Sequence, residues 1–69
     1  KRTVTLMWVT EWELNNKGFR VERAINSDNL WKEIAFIDGK GTSNVSNGYM
    51  YKDEKLKASE YKYRLRQEA

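Results

Sequence analysis

The sequence predicts an all-β chain folded as an antiparallel sandwich, and three observations predict it. Segments within Val4 to Trp8, Asn15 to Arg23, Trp31 to Phe36 and Tyr61 to Leu65 alternate apolar and polar residues with a period of two. Gly, Asn, Asp and Ser gather between these segments, where turns belong. The one helix-forming composition, Lys52 to Ala69, is overruled from about residue 60 by the strict alternation of Tyr61, Tyr63 and Leu65.

Taken in order, the first strand places Val4, Leu6 and Trp8 on one face and Thr5, Met7 and Val9 on the other. Trp12 and Leu14 follow in a polar stretch that ends at Asn15-Asn16-Lys17-Gly18. A turn is expected at Gly18, because glycine takes a positive φ at little cost. The second strand then turns Phe19 and Val21 inward, and Arg23 leaves the core at the strand's end. Asn26-Ser27-Asp28-Asn29 is a turn signal built from side chains that bond their own backbone.

From Leu30 to Ile37 the period is less regular: Trp31, Ala35 and Ile37 share a face with Glu33, and Ile34 and Phe36 share the other. A bulge or an edge position reconciles these, and the sequence does not choose between them. Asp38 to Asn47 reads as loop. Tyr49 and Tyr51 then alternate around Met50 in a fourth strand, and Leu56 anchors a charged connection in which a helical turn over Asp53 to Ala58 has room. The last strand turns Tyr61, Tyr63 and Leu65 inward and Lys62, Arg64 and Arg66 outward. The expected core is Trp8, Phe19, Val21, Tyr49, Tyr51, Leu56, Tyr61, Tyr63 and Leu65.

Composition narrows the chemistry. The 69 residues make one domain, residues 1–69, and a chain this short buries only about 60% of its unfolded surface. Without cysteine there are no disulfides, thiol nucleophiles or thiolate metal sites, and without histidine the commonest general base and metal ligand is missing. No apolar run approaches the roughly 18 residues of a membrane span, so no membrane insertion is expected. The chain opens at Lys1 on strand-like sequence, as a piece cut from a longer protein does.

The charged and aromatic candidates each have an ordinary structural role open to them. Glu22 beside Arg64 and Arg66 reads as cross-strand pairing. Glu11 and Glu13 are two carboxylates near one another, but they read as solvent-facing. Asp38-Gly39-Lys40-Gly41 has neither the spacing of a phosphate loop nor the carboxylates of a calcium loop, so no cofactor or metal is expected. The net charge of +3 is spread along the chain, and Glu22 interrupts the outward row of Arg20, Lys62, Arg64 and Arg66, which argues against nucleic acid. Trp12 and Trp31 do not fit the core pattern, and with Arg20 and Arg64 they are the candidates for ligand or partner contact. Their rings suit edge packing, a protein interface or stacking on sugar.

The ordered set of phrases resembles the fibronectin type III-like modules of exported bacterial proteins. The Bacteroidetes and Ignavibacteria copies, often set before a type IX secretion sorting domain, are most similar. Their V-T-L-x-W strand, N-N-x-G-F-x-V-E-R phrase, W-x-x-I-x-F phrase, G-x-G-T-S loop, Y-x-Y-x-D strand and Y-x-Y-R-L-x-Q ending correspond to Val4 to Trp8, Asn15 to Arg23, Trp31 to Phe36, Gly39 to Ser43, Tyr49 to Asp53 and Tyr61 to Gln67. Trp12 and Arg20 depart from the usual residues and change only the surface.

The resemblance implies a fibronectin type III/immunoglobulin-like antiparallel β-sandwich with about five readable strands, the second to the sixth of seven. The first and last would be missing or cut short, either because the module is trimmed or because another chain supplies an edge by β-strand addition. It further implies Tyr61 as the tyrosine corner. The implied role is a non-catalytic spacer or protein-interaction module, extracellular or at the cell surface. Its partners would be neighbouring domains or another chain. The alternative is a polysaccharide-binding accessory module using Trp12 or Trp31.

Overall fold

A computed structural model describes residues 2–25, 27, 29–56 and 60–69. Among these the chain forms five strands and no helix: β1 (Arg2–Thr10), β2 (Glu13–Ile25), β3 (Lys32–Ser43), β4 (Asn47–Leu56) and β5 (Tyr61–Glu68). They build two antiparallel sheets, β1-β4 and β3-β2-β5. Only β2 and β3 are both consecutive and paired; every other connection passes from one sheet to the other. In register, Trp8 stands opposite Tyr49. Val21 stands between Ala35 on β3 and Leu65 on β5.

The layers meet through rings. The centroids of Trp8 and Phe19 lie 5.5 Å apart, those of Trp8 and Tyr49 5.7 Å, and those of Phe19 and Tyr49 4.9 Å. Edge-on and stacked contacts of this kind add about 0.5–1.5 kcal/mol each beyond area burial. Phe19, Val21, Ala24, Tyr49 and Leu56 are buried, with Val21 wholly so. Trp8, Tyr51, Tyr61 and Tyr63 are half-buried. Leu65, assigned to the core by its alternation, is 38% exposed, because β5 is an edge strand and nothing described lies beyond it.

Several expectations are corrected. Gly18 makes no turn. It lies within β2 opposite Asp38, and a Cβ there would come within 2.5 Å of the Ile37 carbonyl oxygen and 2.6 Å of the Phe36 ring. Glycine is needed there for close approach. The positive φ angles fall instead at Asn15 (53°) and Gly41 (71°), beside the register shifts where β2 and β3 are bulged. These bulges let β2 begin at Glu13 and let β3 run through the glycine-rich stretch expected to be loop. Pairing then extends as far as Glu13 opposite Ser43.

The irregular stretch before Asp38 is both bulge and edge. Val21 faces Ala35 while Glu22 faces Glu33, so Ile34 is the additional residue. Asp53 to Leu56 is strand, so no helical turn starts there, and residues 57–59 lie outside those described. The backbone just upstream to which Tyr61 was expected to bond includes that stretch. Of the Asn26-Ser27-Asp28-Asn29 turn, Asn26 and Asp28 lie outside the described residues, and Ser27 sits in a turn.

Candidate functional site

Three groups of side chains have the density of polar or apolar contacts from which a site is built. The first centres on Glu13, whose side chain the sequence placed in solvent. It is buried, at 2% exposure, because β2 begins at this residue between the sheets. Its Oε2 accepts from the hydroxyls of Thr10 (2.6 Å) and Tyr49 and from Asn47 Nδ2 (3.2 Å). Its Oε1 accepts from Asn16 Nδ2 (2.9 Å) and the Lys40 backbone N–H (3.0 Å). Donors from all of β1, β2, β3 and β4 thus converge on one carboxylate.

Burial pushes this carboxyl up, but the hydrogen bonds from Thr10, Tyr49, Asn16 and Lys40 outweigh it and bring the pKa down to about 2. The Tyr49 hydroxyl moves the other way, to about 12, through burial and its bond to the Glu13 carboxylate. A carboxylate offers about four lone-pair positions, and five donors fill them. No lone pair is left to take a substrate's proton or a metal ion, so Glu13 is a clamp.

At the other end of the sandwich Arg23 points inward, a correction to its expected exit from the core. Its Nη1 donates to both Asp53 oxygens, at 2.9 and 2.7 Å, and the Tyr63 hydroxyl donates to Asp53 Oδ2 at 2.8 Å. The guanidinium lies 5.1 Å from the Tyr61 ring centroid. The bond to Asp53 raises the Arg23 pKa, and burial with the Asp53 bond pushes Tyr63 to about 12. Arg23, Asp53 and Tyr63 join β2, β4 and β5.

The outer face of the three-stranded sheet gathers three of the four contact candidates. Arg64 pairs with Glu22 and lies 4.2 Å from the Trp31 ring, with Lys62 5.5 Å from the same ring. Arg20 bridges Glu33 and Glu68, each at 3.1 Å. Trp31 is therefore roofed by cations, and the basic row is interleaved with carboxylates. Trp12 is elsewhere: it is 67% exposed at the Glu13 end, lining a depression of about 500 Å³ with Leu14, Thr42, Ser43 and Asn44.

A last feature lies between the layers. On the side where β1 and β5 present their unpaired edges, Leu6, Met7, Trp8, Tyr63, Arg64 and Leu65 line a groove of about 320 Å³. Of the inward polar groups, Arg23 and Asp53 share the phase of the apolar row on their strands, Arg23 with Phe19 and Val21, and Asp53 with Tyr49 and Tyr51. That phase was the readable signal. Glu13 and Asn16 had no such signal, because the bulges at Asn15 and Gly41 break the alternation. Comparison of the chain with family models, curated proteins and solved structures returns no match.

Proposed function

We propose that this chain is a non-catalytic structural module, a rigid spacer and protein-interaction unit of a secreted or cell-surface bacterial protein. The observation that carries the reading is how its inward polar side chains are used. Glu13, with its five donors, and the Arg23-Asp53-Tyr63 group bridge the sheets at the two ends of the core. Polar groups tied by hydrogen bonds to side chains on neighbouring strands fix two layers in one relative position, which is what a spacer requires.

The pairing of β1 with β4 and of β2 with β5 supports a fibronectin type III-like identity. In the seven-strand sandwich the second strand neighbours the fifth and the third faces the sixth in the same manner. The exported, surface-displayed setting rests on the sequence resemblance.

Rigidity is the testable property. The chain has no cysteine of its own, so Ser27→Cys and Asn44→Cys place two spin labels at opposite ends of β2 and β3 without competing sites. A single narrow distance distribution near the 40 Å long axis is expected. A broad or two-peaked distribution overturns the spacer.

Trp12 favours a second reading. An exposed indole beside Thr42, Ser43 and Asn44 offers a stacking face with hydroxyl and amide groups at its rim, the chemistry that holds a sugar ring. A shift in tryptophan emission on adding soluble polysaccharide, abolished by Trp12→Ala, would establish it.

A further inference from the structure

The depression at the Trp12 end is built by two connections interior to the chain, β1 to β2 and β3 to β4. It lies on the side of the sandwich where β3 approaches β4. The further strands of a seven-strand sandwich would lengthen the sheets beside β1 and β5, on the other side. Its shape therefore belongs to the described residues.

Glu13 sets the platform. Five donors hold its side chain between the sheets, so its neighbours Trp12 and Leu14 turn out to solvent, at 67% and 62% exposure. An indole braced in this way loses little freedom when a ligand lies on it.

The rim is polar and uncharged. Thr42 Oγ1 accepts from the Asn15 backbone N–H at 3.2 Å and keeps its own proton to donate. The Ser43 hydroxyl is occupied within the turn, donating to the Val45 carbonyl and accepting from the Val45 N–H and Asn47 Nδ2. The Asn44 amide is exposed and has no partner among the described residues. Thr42 and Asn44 are thus the groups a ligand can reach. Of the residues lining the depression only Glu13 ionises, and its carboxylate is already filled by donors. The lining offers no free charge to a uronate, a sulfate or an amino sugar.

An indole face packs on C–H groups, and hydrogen-bonding groups belong at its border. A pyranose whose ring hydroxyls are all equatorial carries axial C–H groups on both faces and its hydroxyls around the edge. Equatorial linkages leave those faces open along a chain. We propose that the Trp12 depression binds a neutral glucan chain of this kind, as in cello-oligosaccharides. One ring lies on the indole with Leu14 beside it, and its edge hydroxyls bond to Thr42 and Asn44. This rests on the second, sugar-binding reading above and names its substrate class.

The test titrates the 69-residue chain with cellohexaose, mannohexaose, oligogalacturonate and fully deacetylated chitin oligomers, following amide and indole N–H shifts by NMR. Cellohexaose should move the Trp12 indole and the amides of Leu14 and Thr42 to Asn44, with a dissociation constant of about 1 mM. The Trp31 indole should stay unmoved, because Arg64 and Lys62 cover that ring. Trp12→Ala should weaken binding by more than about tenfold, and Asn44→Ala by about threefold, as loss of one neutral hydrogen bond does. Both side chains stand in solvent, so both variants should keep the urea midpoint of the natural chain. Affinity should hold when ionic strength is raised about tenfold, because screening acts on charges.

Equal or tighter binding of mannohexaose or of either charged oligomer at Trp12 removes the glucan class and keeps the sugar site. Shifts confined to another surface, binding indifferent to Trp12→Ala, or no binding by any oligosaccharide removes the site itself.

Discussion

The Tyr49 hydroxyl donates to Oε2 of Glu13 from the facing sheet, and through that bond β4 is tied to the first residue of β2. The ring of the same tyrosine packs on Trp8 and Phe19. One side chain therefore serves both the apolar centre and the polar clamp. Tyr49→Phe keeps the ring and removes the donor. It is expected to lower unfolding free energy by about 2 kcal/mol, as loss of a hydrogen bond to a charged group does, with an unchanged denaturant m-value. Urea titration followed by tryptophan fluorescence measures both.

Acid should act through Glu13. Its folded pKa of about 2 lies below the ordinary 4.5, so as pH falls the unfolded chain takes up this proton first. The stability it contributes is fully present above about pH 4.5 and is lost as pH falls toward 2. Urea midpoints across this window should fall more steeply for the natural chain than for Glu13→Gln, which starts lower and stays flatter. Parallel curves would remove Glu13 from the acid response.

Base should act through two phenols. Tyr49 and Tyr63 are both raised from 10.0 to about 12 in the folded chain, because burial, full at Tyr49 and partial at Tyr63, disfavours the phenolate and each hydroxyl donates to a carboxylate. Above pH 10 the unfolded chain loses these protons first, so the associated stability is lost as pH rises through 12. Absorbance of tyrosinate and the unfolding signal should rise together in the natural chain. In the Tyr49→Phe/Tyr63→Phe double variant the alkaline midpoint should move less with pH.

Breaking the Arg23-Asp53 pair from one side leaves the other charge in a poorly solvated place. Asp53→Ala is expected to cost about 2–4 kcal/mol, reduced from the fully buried case because the Arg23 side chain is partly exposed. Adding Arg23→Met to Asp53→Ala should recover part of this loss. A double-mutant cycle with no coupling between the two positions would contradict the bridging role.

Gly18→Ala forces a methyl group against the Ile37 carbonyl oxygen, which belongs to the paired backbone and has no room to retreat. Destabilisation of about 1–3 kcal/mol is expected, with exchange faster at the amides where β2 meets β3. The turn expected from sequence at this position would have placed the cost in backbone conformation, with only a positive φ to satisfy.

The sequence shows its strands wherever one face meets the core and the other meets water. Val4 to Trp8 and Tyr61 to Leu65 alternate in that manner, and both are edge strands of their sheets in the structure. Legibility fails where the period breaks. Gly39 and Gly41 signalled loop, yet a single positive φ at Gly41 keeps β3 in register with β2 across a bulge. The same bulged region turns Glu13 inward, and a lone glutamate in a polar stretch carries no mark of the five donors that four different strands bring to it. Of the contact candidates, Trp12 stands in the open as its lack of phase suggested. Trp31 is covered by Arg64 and Lys62, whose alternate positions were plain but whose distance to that ring was not.

The partnership of β1 with β4 has a kinetic consequence. Arg2 meets Leu56 across a span that includes all of β2 and β3, so the two-stranded sheet cannot form as a local hairpin. Closing that span costs chain entropy before any ring contact repays it, which places the molecule among slow, millisecond-to-second folders. Among the described residues the β2-β3 ribbon is the one consecutive pair able to zip early, and the other described strands must condense on it.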